Sequence, residues 1–428
     1  MLKVEQLLGK PLRKLLNGPI TRATIRTSFV LGLRLLVQAG TLLLVARMLG
    51  PSDYGAFAAI AALAVLMGTF ATCGTHLVLL AEVSKSPDQR QPVLAYAVPI
   101  TLISGSVLFL LYLAIGQFWL ASTSVPLQVM ACIGLTETLL LPLYLLPATE
   151  DLALEKTARS QLMVVFPLAL RMAVAGMVMV LAPAQPLALF AWLYLATALL
   201  ALVCMKVYKH DAWLQPKHWK LPNPAQLKYS IGYATLSLTA AGPSELDKML
   251  AVKLLPLGVS GLYAAASRVI GAATLPVTAL LLSALPRLFR QAGEHSAQSQ
   301  RLNRWIYLSV LIYGMALAGL LWLAAPAVQW LFGSQYHGMG DMLRWLCLAV
   351  PGLVLRLTVA SILMTQDKPW LRAGFEVLGM ATLVMAAFAL YPMFGPKGMA
   401  LALAASEWGI VLAGMVFIIK HPKKTKRN

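Results

Sequence analysis

Charged residues are scarce in this sequence. Asp, Glu, Lys and Arg make up 12% of its 428 residues, whereas hydrophobic residues make up 59%. Soluble domains carry about 25% charged residues, so a water-soluble protein is excluded and an integral membrane protein is indicated. Acidic side chains are the scarcer kind, with 16 Asp and Glu against 35 Lys and Arg.

Features of catalytic and metal-binding proteins are also missing. The four cysteines are scattered through apolar segments without metal-ligand spacing, and they are Cys73, Cys132, Cys204 and Cys347. The sequence has no Gly-rich phosphate loop and no nucleophile or metal constellation. We therefore expect a protein that is not an enzyme, holds no cofactor or metal and does not use ATP directly. The first apolar run is interrupted by Arg34 and lacks a convincing cleavage site, which favours a retained span over a signal peptide.

Long apolar runs predict an all-α protein with about twelve transmembrane helices. Each run is close to the ~20 residues that cross ~30 Å of hydrocarbon. A basic amphipathic segment, 1–27, is followed by a first six-helix bundle, 28–205, a linker, 206–229, a second bundle, 230–419, and a basic tail, 420–428. The predicted spans are 28–49, 53–80, 93–115, 127–148, 160–182, 186–205, 230–256, 261–285, 305–325, 342–364, 370–391 and 397–419.

An internal repeat relates the two halves. The segment Ala46–Ala59 aligns without gaps on Val252–Ala265, so that Arg47 matches Lys253 and Gly55 matches Gly261. Such a repeat predicts two pseudo-symmetric bundles.

The placement of Lys and Arg predicts the orientation. The segments between alternate spans, and both ends of the chain, are rich in Lys and Arg, whereas the opposite loops are short and hold almost none except Lys397. The positive-inside rule then places both termini in the cytoplasm, and it accounts for the net charge of +19 without nucleic acid as a partner.

Eleven ionisable residues fall inside predicted spans, where each charge costs ~2.5–3.5 kcal/mol at the helix centre. They are Arg34, Arg171, Lys248, Arg268, Arg344, Arg356, Glu137, Glu245, Asp247, Glu376 and Glu407. Two interpretations stay open, pairing across the bundle or lining of a wet cavity. Snorkelling to the headgroups is a further explanation for Arg268 and Arg344. Because Glu245 and Lys248 share a face of the seventh span, we expect one acid there to pair with the lysine and the other, Asp247, to stay free.

Two motifs resemble a known family. The run Ala-Arg-Met-Leu-Gly-Pro-Ser-Asp-Tyr-Gly-Ala-Phe-Ala-Ala at Ala46–Ala59, and Leu246-Asp247-Lys248 followed by Gly261 to Arg268, are similar to the Wzx-type polysaccharide and O-antigen flippases. These form a branch of the multidrug/oligosaccharidyl-lipid/polysaccharide (MOP) exporter superfamily. The resemblance implies a V-shaped pair of six-helix bundles in the bacterial inner membrane. It also implies transport of an undecaprenyl-pyrophosphate-linked glycan during lipopolysaccharide or other surface-polysaccharide biosynthesis, with a polymerase and chain-length protein as partners.

The resemblance and the buried charges together suggest two sets of site residues. Arg34 and Arg268 best match the arginines that hold pyrophosphate in related lipid flippases. The substrate-binding candidates are Arg34, Arg268, Arg356, Lys248 and Arg171, and the candidates for coupling to H⁺ or Na⁺ are Asp247, Glu245, Glu137 and Glu407.

Two other functions remain open at this stage. The first is a cation-coupled exporter of drugs, similar to the MATE transporters, which would use buried acids to hold an organic cation; the excess of basic residues argues against it. The second is a membrane polymerase or ligase of lipid-linked sugars, against which the short outer loops argue.

Overall fold

The computed structural model describes residues 19–119, 125–209, 215–277, 297–365 and 369–420. Over these residues the chain is helical and contains no β-strand. We number the helices by predicted span: α1 (19–49), α2 (51–71, continued by Thr75–Lys85), α3 (Arg90–Trp119), α4 (Leu127–Ala153), α5 (Thr157–Leu181), α6 (Pro186–Lys209), α7 (Pro224–Leu254), α8 (Leu257–Ala273), α9 (Ala297–Phe332), α10 (Met339–Leu346, continued by Val350–Thr365), α11 (Pro369–Phe394) and α12 (Pro396–Lys420).

A helix lies at every one of the twelve predicted spans, so the all-α membrane fold is confirmed. Eight helical segments of the described residues are long and apolar enough to cross a bilayer, and the first of these runs through both α1 and α2. Helices α7, α8 and α12 do not meet this criterion of length and apolar composition over their described residues. Helix α7 carries Glu245, Asp247 and Lys248 close together, and α8 is described over only 17 residues.

Several helix boundaries differ from the predicted ones; α7 begins at Pro224 rather than at residue 230, and α9 runs over Ala297–Phe332 rather than 305–325. Two further differences concern the first two spans. Helix α1 begins at Pro19, earlier than predicted, and α2 is broken between Ala71 and Thr75, inside an apolar run that hydropathy reads as continuous. Cys73 and Gly74 both have positive φ there. A side chain at position 74 would meet the carbonyl oxygen of Ser230 in α7, so glycine allows this close approach. The ends of the chain, 1–18 and 421–428, and residues 278–285 of the eighth predicted span lie outside the described residues.

Helices α1–α6 form an N-terminal lobe and α7–α12 a C-terminal lobe. We call the end of the bundle that carries Gly50, Pro256 and residues 333–338 the turn face. The opposite end, which carries residues 85–90, 154–156, 209 and 215–224, is the linker face.

The two lobes meet at the turn face through the internal repeat. A Cβ atom on Gly55 would lie 2.5 Å from Ser260 Oγ, and one on Gly261 would overlap the carbonyl oxygen of Pro51. These two glycines are equivalent in the repeat, so the start of α2 and the start of α8 pack backbone to backbone. Their mutual contact is what a pseudo-two-fold relation between the lobes predicts.

Repeat-related cations reach across the same interface. Arg47 Nε of the N-terminal lobe donates to the carbonyl oxygen of Leu331 at 2.7 Å, and Lys253 Nζ lies 5.9 Å from the centre of the Trp119 ring. Tyr336 OH also donates to the carbonyl oxygen of Ala46 at 2.8 Å. These contacts hold the lobes together at the turn face.

Candidate functional site

One group of in-span charges lies in the N-terminal lobe, around a π-helical turn of α4 at Thr136–Leu140. Tyr194 OH of α6 donates to Glu137 Oε1 at 2.7 Å, and Arg171 Nη1 of α5 lies 4.0 Å from the same oxygen. The Arg171 guanidinium also lies over the Tyr194 ring, 4.5 Å from its centre. Gly68 of α2 packs directly against the carbonyl oxygen of Glu137. Single π turns inside α-helices are frequent at functional sites because they redirect one side chain.

A second group lies in the C-terminal lobe, on α7 and α8. Lys248 Nζ is 3.2 Å from Asp247 Oδ1 and 3.5 Å from Glu245 Oε2, and Arg268 Nη2 is 3.7 Å from the same Glu245 oxygen. Asp247 Oδ2 accepts a hydrogen bond from Ser267 Oγ at 2.9 Å. Asp247 and Lys248 are buried, whereas the Arg268 side chain is 38% exposed.

The two groups face each other across the interface between the lobes. Glu137 of the N-terminal lobe interacts electrostatically with Arg268 and Glu245 of the C-terminal lobe. The buried ring of Tyr54, in the first turn of α2, lies within electrostatic range of Arg171, Arg268 and Glu245. We call these residues the inter-lobe charge cluster, which comprises Glu137, Arg171, Tyr194, Glu245, Asp247, Lys248 and Arg268.

The expectation that one acid of α7 stays unpaired is wrong. Asp247 is held by Lys248, and Glu245 contacts both Lys248 and Arg268. The prediction counted charges on α7 alone, whereas the second cation comes from α8. The two acids are nevertheless held differently, since the buried Oε2 of Glu245 makes no hydrogen bond with the described residues.

Arg34 lies apart from this cluster, on the side of α1 that packs against α5. Its Nη1 donates to Gln161 Oε1 at 2.9 Å, and no acid pairs with it in the part of the chain that the structure describes. Val30 and Val37 of α1 and Val165 of α5 form a small apolar cluster along the same pair of helices. Arg34 is thus a partly buried cation whose nearest polar partner is a neutral amide.

Arg356 is fully engaged in a buried triad. Its Nε lies 2.6 Å from Glu407 Oε2 and its Nη1 lies 2.7 Å from Glu376 Oε2. The three residues come from α10, α12 and α11 and are each at most 5% exposed. This is the neutralisation across the bundle that the sequence left open for Glu376 and Glu407, and it leaves the guanidinium of Arg356 occupied on both sides.

A fourth ion-pair network, at the linker face, was missed by the sequence analysis. Glu150 and Asp151 at the end of α4 are buried and pair with cations from α3, α5 and α6. The three cations are Arg90, Arg159 and Lys209. The adjacent acidic pair beside Lys156 and Arg159 was the available signal, but it falls just beyond the predicted span, 127–148. Within the described residues no cluster of three metal-ligating side chains occurs.

The solved structures that this fold resembles include transporters of the MATE family and the MOP superfamily. A multidrug resistance transporter of the MATE family and MOP superfamily, in an inward-facing conformation, superposes with a TM-score of 0.75 at 12% identity, over 93% of this chain and 100% of its own. An outward-facing structure of such a transporter gives 0.64 at 13% identity, over 95% and 97%. A MOP superfamily transporter from Pyrococcus furiosus gives 0.65 at 13% identity, over 97% and 98%, and a reversed polarity of its binding pocket is taken to suggest a different function.

These likenesses define the class by fold: a multi-pass membrane protein with the two-lobe, twelve-helix architecture of the MOP transporters. The family model described as "Polysaccharide biosynthesis protein" matches residues 44–341. The chain belongs to that family, which confirms the resemblance drawn from the motifs at Ala46 and Leu246. None of the curated proteins matches the chain in sequence.

Proposed function

We propose that this protein is a flippase that moves an undecaprenyl-pyrophosphate-linked oligosaccharide from the cytoplasmic to the periplasmic leaflet by alternating access. The observation that carries the proposal is the distribution of cations. Arg34 has no acidic partner among the described residues, and Arg268 is both loosely paired and partly exposed. An anionic lipid headgroup requires cations of this kind, because its charge and its sugars cannot enter hydrocarbon unaided.

The depths of the two arginines suit this role. At 1.5 Å per residue, Arg34 lies roughly 24 Å along α1 from Gly50, and Arg268 roughly 16 Å along α8 from its first residue. Measured from the turn face, Arg268 lies near the middle of a ~30 Å hydrocarbon layer, and Arg34 lies about 6 Å inside its linker-face boundary. The contacts at the turn face close that end between the lobes, which supports a state in which substrate enters from the linker face.

Export of an organic cation is less well supported. Such a substrate needs an acid without a cationic partner, and each in-span acid in the described residues has a basic partner. The acids are Glu137, Glu245, Asp247, Glu376 and Glu407.

The test of the function is a flipping assay. Purified protein in vesicles should move a fluorescent undecaprenyl-pyrophosphate sugar between leaflets, measured by its accessibility to a membrane-impermeant quencher. Unlabelled lipid-linked sugar should compete, whereas an organic cation of similar size should not. The proposal fails if folded protein moves the organic cation and leaves the lipid-linked sugar where it was.

The same proposal places the protein in the bacterial inner membrane with both termini in the cytoplasm, next to a polymerase and a chain-length protein. The linker face is then cytoplasmic. In a background without native cysteines, Ser122→Cys, Ser334→Cys and Lys397→Cys are expected to react with an impermeant thiol reagent added to intact cells. Asp211→Cys and Ser299→Cys should react only after the membrane is opened, because the Lys- and Arg-rich segments stay inside. The reverse pattern of labelling would invert the orientation.

For the coupling ion, H⁺ or Na⁺, the structure favours Glu245 over the sequence-based first choice, Asp247. Asp247 accepts hydrogen bonds from Ser267 Oγ at 2.9 Å and Tyr263 OH at 3.4 Å, which hold its carboxylate in place. Glu245 Oε2 lies at 3.5 Å or more from both of its cations and makes no hydrogen bond within the ranges that the structure describes. A carboxylate held this loosely at the interface between the lobes is the one whose environment changes most as the lobes rock.

We therefore expect Glu245→Gln to abolish flipping driven by an imposed proton or sodium gradient while substrate binding persists. Asp247→Asn is the matched variant, on the same helix and with the same loss of charge. It should lower the yield of folded protein, but the surviving molecules should still respond to the gradient. Gradient-dependent flipping by well-expressed Glu245→Gln protein, measured in the same vesicles, would remove Glu245 from the coupling step.

A further inference from the structure

A cavity of about 570 Å³ opens at the linker face, between the start of α3 and the segment that joins the lobes. The described part of the joining segment, 215–223, is docked against the N-terminal lobe. The backbone N–H of Lys220 donates to the carbonyl oxygen of Ala95 at 2.9 Å, and Trp219 packs against the core of the N-terminal lobe. The cavity walls are therefore fixed by main-chain and aromatic contacts.

The cavity is basic. Arg90, Lys217 and Lys220 line it, and no acidic side chain of the described residues does. Arg90 is turned partly away, with its Nε 2.8 Å from Glu150 behind the wall. Lys217 and Lys220 are exposed, and neither side chain pairs with another group in the described ranges. Two long helices, α3 and α7, also begin at this cavity, and helix N-termini carry positive partial charge.

The cavity lies at the depth of lipid headgroups. Its floor is formed by the first two turns of α3, where the third predicted span begins, and includes the ring of Tyr96. Trp219 and Leu221 stand on the other wall, and Leu221 is 78% exposed. Aromatic and apolar groups beside cations at the end of a membrane helix are typical of the boundary between headgroups and acyl chains.

We propose that this pocket binds the phosphate headgroup of an anionic phospholipid. Lys217 and Lys220 contact the phosphate, and Trp219 and Leu221 contact the glycerol and upper acyl region. A soluble anion would use the two lysines but would gain nothing from an exposed leucine beside them. Basic pockets between transmembrane helices bind anionic lipids in this way. Because the segment that contributes both lysines connects α6 to α7, the bound lipid holds the connection between the lobes against the N-terminal lobe.

The experiment is a lipid titration of the full-length protein in detergent, followed by native mass spectrometry. Phosphatidylglycerol is the probe and phosphatidylcholine the neutral control. Each lysine at headgroup distance contributes about a factor of five to the affinity for an anionic lipid, so K217Q/K220Q is expected to bind phosphatidylglycerol about 25-fold more weakly at one site. The matched control is K206Q/K228Q, which removes two exposed lysines at the same face outside the pocket and should bind like wild type.

Two results would overturn the proposal. One is equal phosphatidylglycerol binding by both double variants, which would mean that the lysines act only through net charge. The other is full displacement of the lipid by millimolar inorganic phosphate, with the phosphate alone bound as tightly as the lipid, which would identify a soluble anion as the ligand. Equal thermal unfolding midpoints in phosphatidylcholine check that neither variant has lost its fold.

Discussion

Arg34→Ala should abolish transport of the lipid-linked glycan while leaving the protein folded and inserted. The guanidinium of Arg34 pairs with a neutral amide, Gln161, so its removal leaves no buried acid uncompensated among the described residues. The cost to folding is therefore small, of the order of the ~0.5–1.5 kcal/mol of one hydrogen bond. The cost to function is large if this cation receives the pyrophosphate, because charge-assisted contacts to phosphate are about twice as strong as neutral ones.

Two companion variants sharpen this result. Arg34→Lys keeps the charge but loses the planar set of donors that holds two phosphate oxygens, so we expect it to restore transport only in part. Arg344→Ala also removes one arginine from a helix, but Arg344 lies near the turn face and pairs with Asp341 at 3.1 Å, so it should transport normally. Surface glycan display at native expression measures all three. Normal display by Arg34→Ala, with protein abundance unchanged, would refute the anion site.

Much of the fold could be predicted because the membrane restricts the choices. An apolar run near 20 residues has to become a helix, since hydrocarbon leaves no other partner for its backbone groups. The repeat at Ala46–Ala59 and Val252–Ala265 was informative for a related reason. Its glycines, Gly55 and Gly261, meet at the interface between the lobes. The residues by which the repeat was recognised are therefore also the residues through which its two copies pack.

The break in α2 could not be predicted from hydropathy. Thr72, Cys73, Gly74 and Thr75 sit in an apolar run, and the break depends on the close approach of α7 to Gly74. Hydropathy is averaged over neighbouring residues, so it does not detect a contact between helices that are far apart in sequence. The lone signal in the sequence was Gly74, with threonines at positions 72 and 75.

Contacts between distant helices also explain why the candidate site was only partly predicted. Spacing along one helix predicts which residues share a face, and it correctly put Glu245 and Lys248 together. It does not predict what the neighbouring helix presents. Arg268 therefore appeared as a candidate for snorkelling, although the structure brings it to within 3.7 Å of Glu245. Arg356 was a substrate-binding candidate together with Arg34, but a position inside a span does not distinguish a cation that is free to bind a ligand from one that acids already enclose.

That distinction matters because all in-span charges cost energy to insert, whatever they do. In this protein the charge of Arg356 is neutralised by Glu376 and Glu407 without a substrate. The charge of Arg34 has no such neutralising partner among the described residues. Under the proposed function, Arg356 is therefore a structural cation, whereas Arg34 and Arg268 are the cations that can receive an anionic substrate.

Arg356→Ala is accordingly expected to lose folded protein rather than activity alone. Its removal leaves Glu376 and Glu407, both buried, without the cation that now lies 2.6–2.7 Å from each. Breaking a buried pair by deleting one partner costs about 3–5 kcal/mol, a large part of the stability of many proteins. Membrane abundance and the thermal unfolding midpoint should both fall, and the glycan should disappear from the cell surface because the protein does.

The decisive variant is the triple change Arg356→Met, Glu376→Gln and Glu407→Gln. Neutral replacement of an entire buried ion network is often tolerated, since the desolvation of the charges is removed together with their attraction. We expect the triple variant to regain abundance and to display the glycan again. If Arg356 instead binds pyrophosphate, the triple variant will be abundant but inactive, and Arg356→Ala will be abundant as well. Quantitative immunoblotting of membranes alongside the display measurement therefore assigns Arg356 either to the structure of the C-terminal lobe or to the transport path.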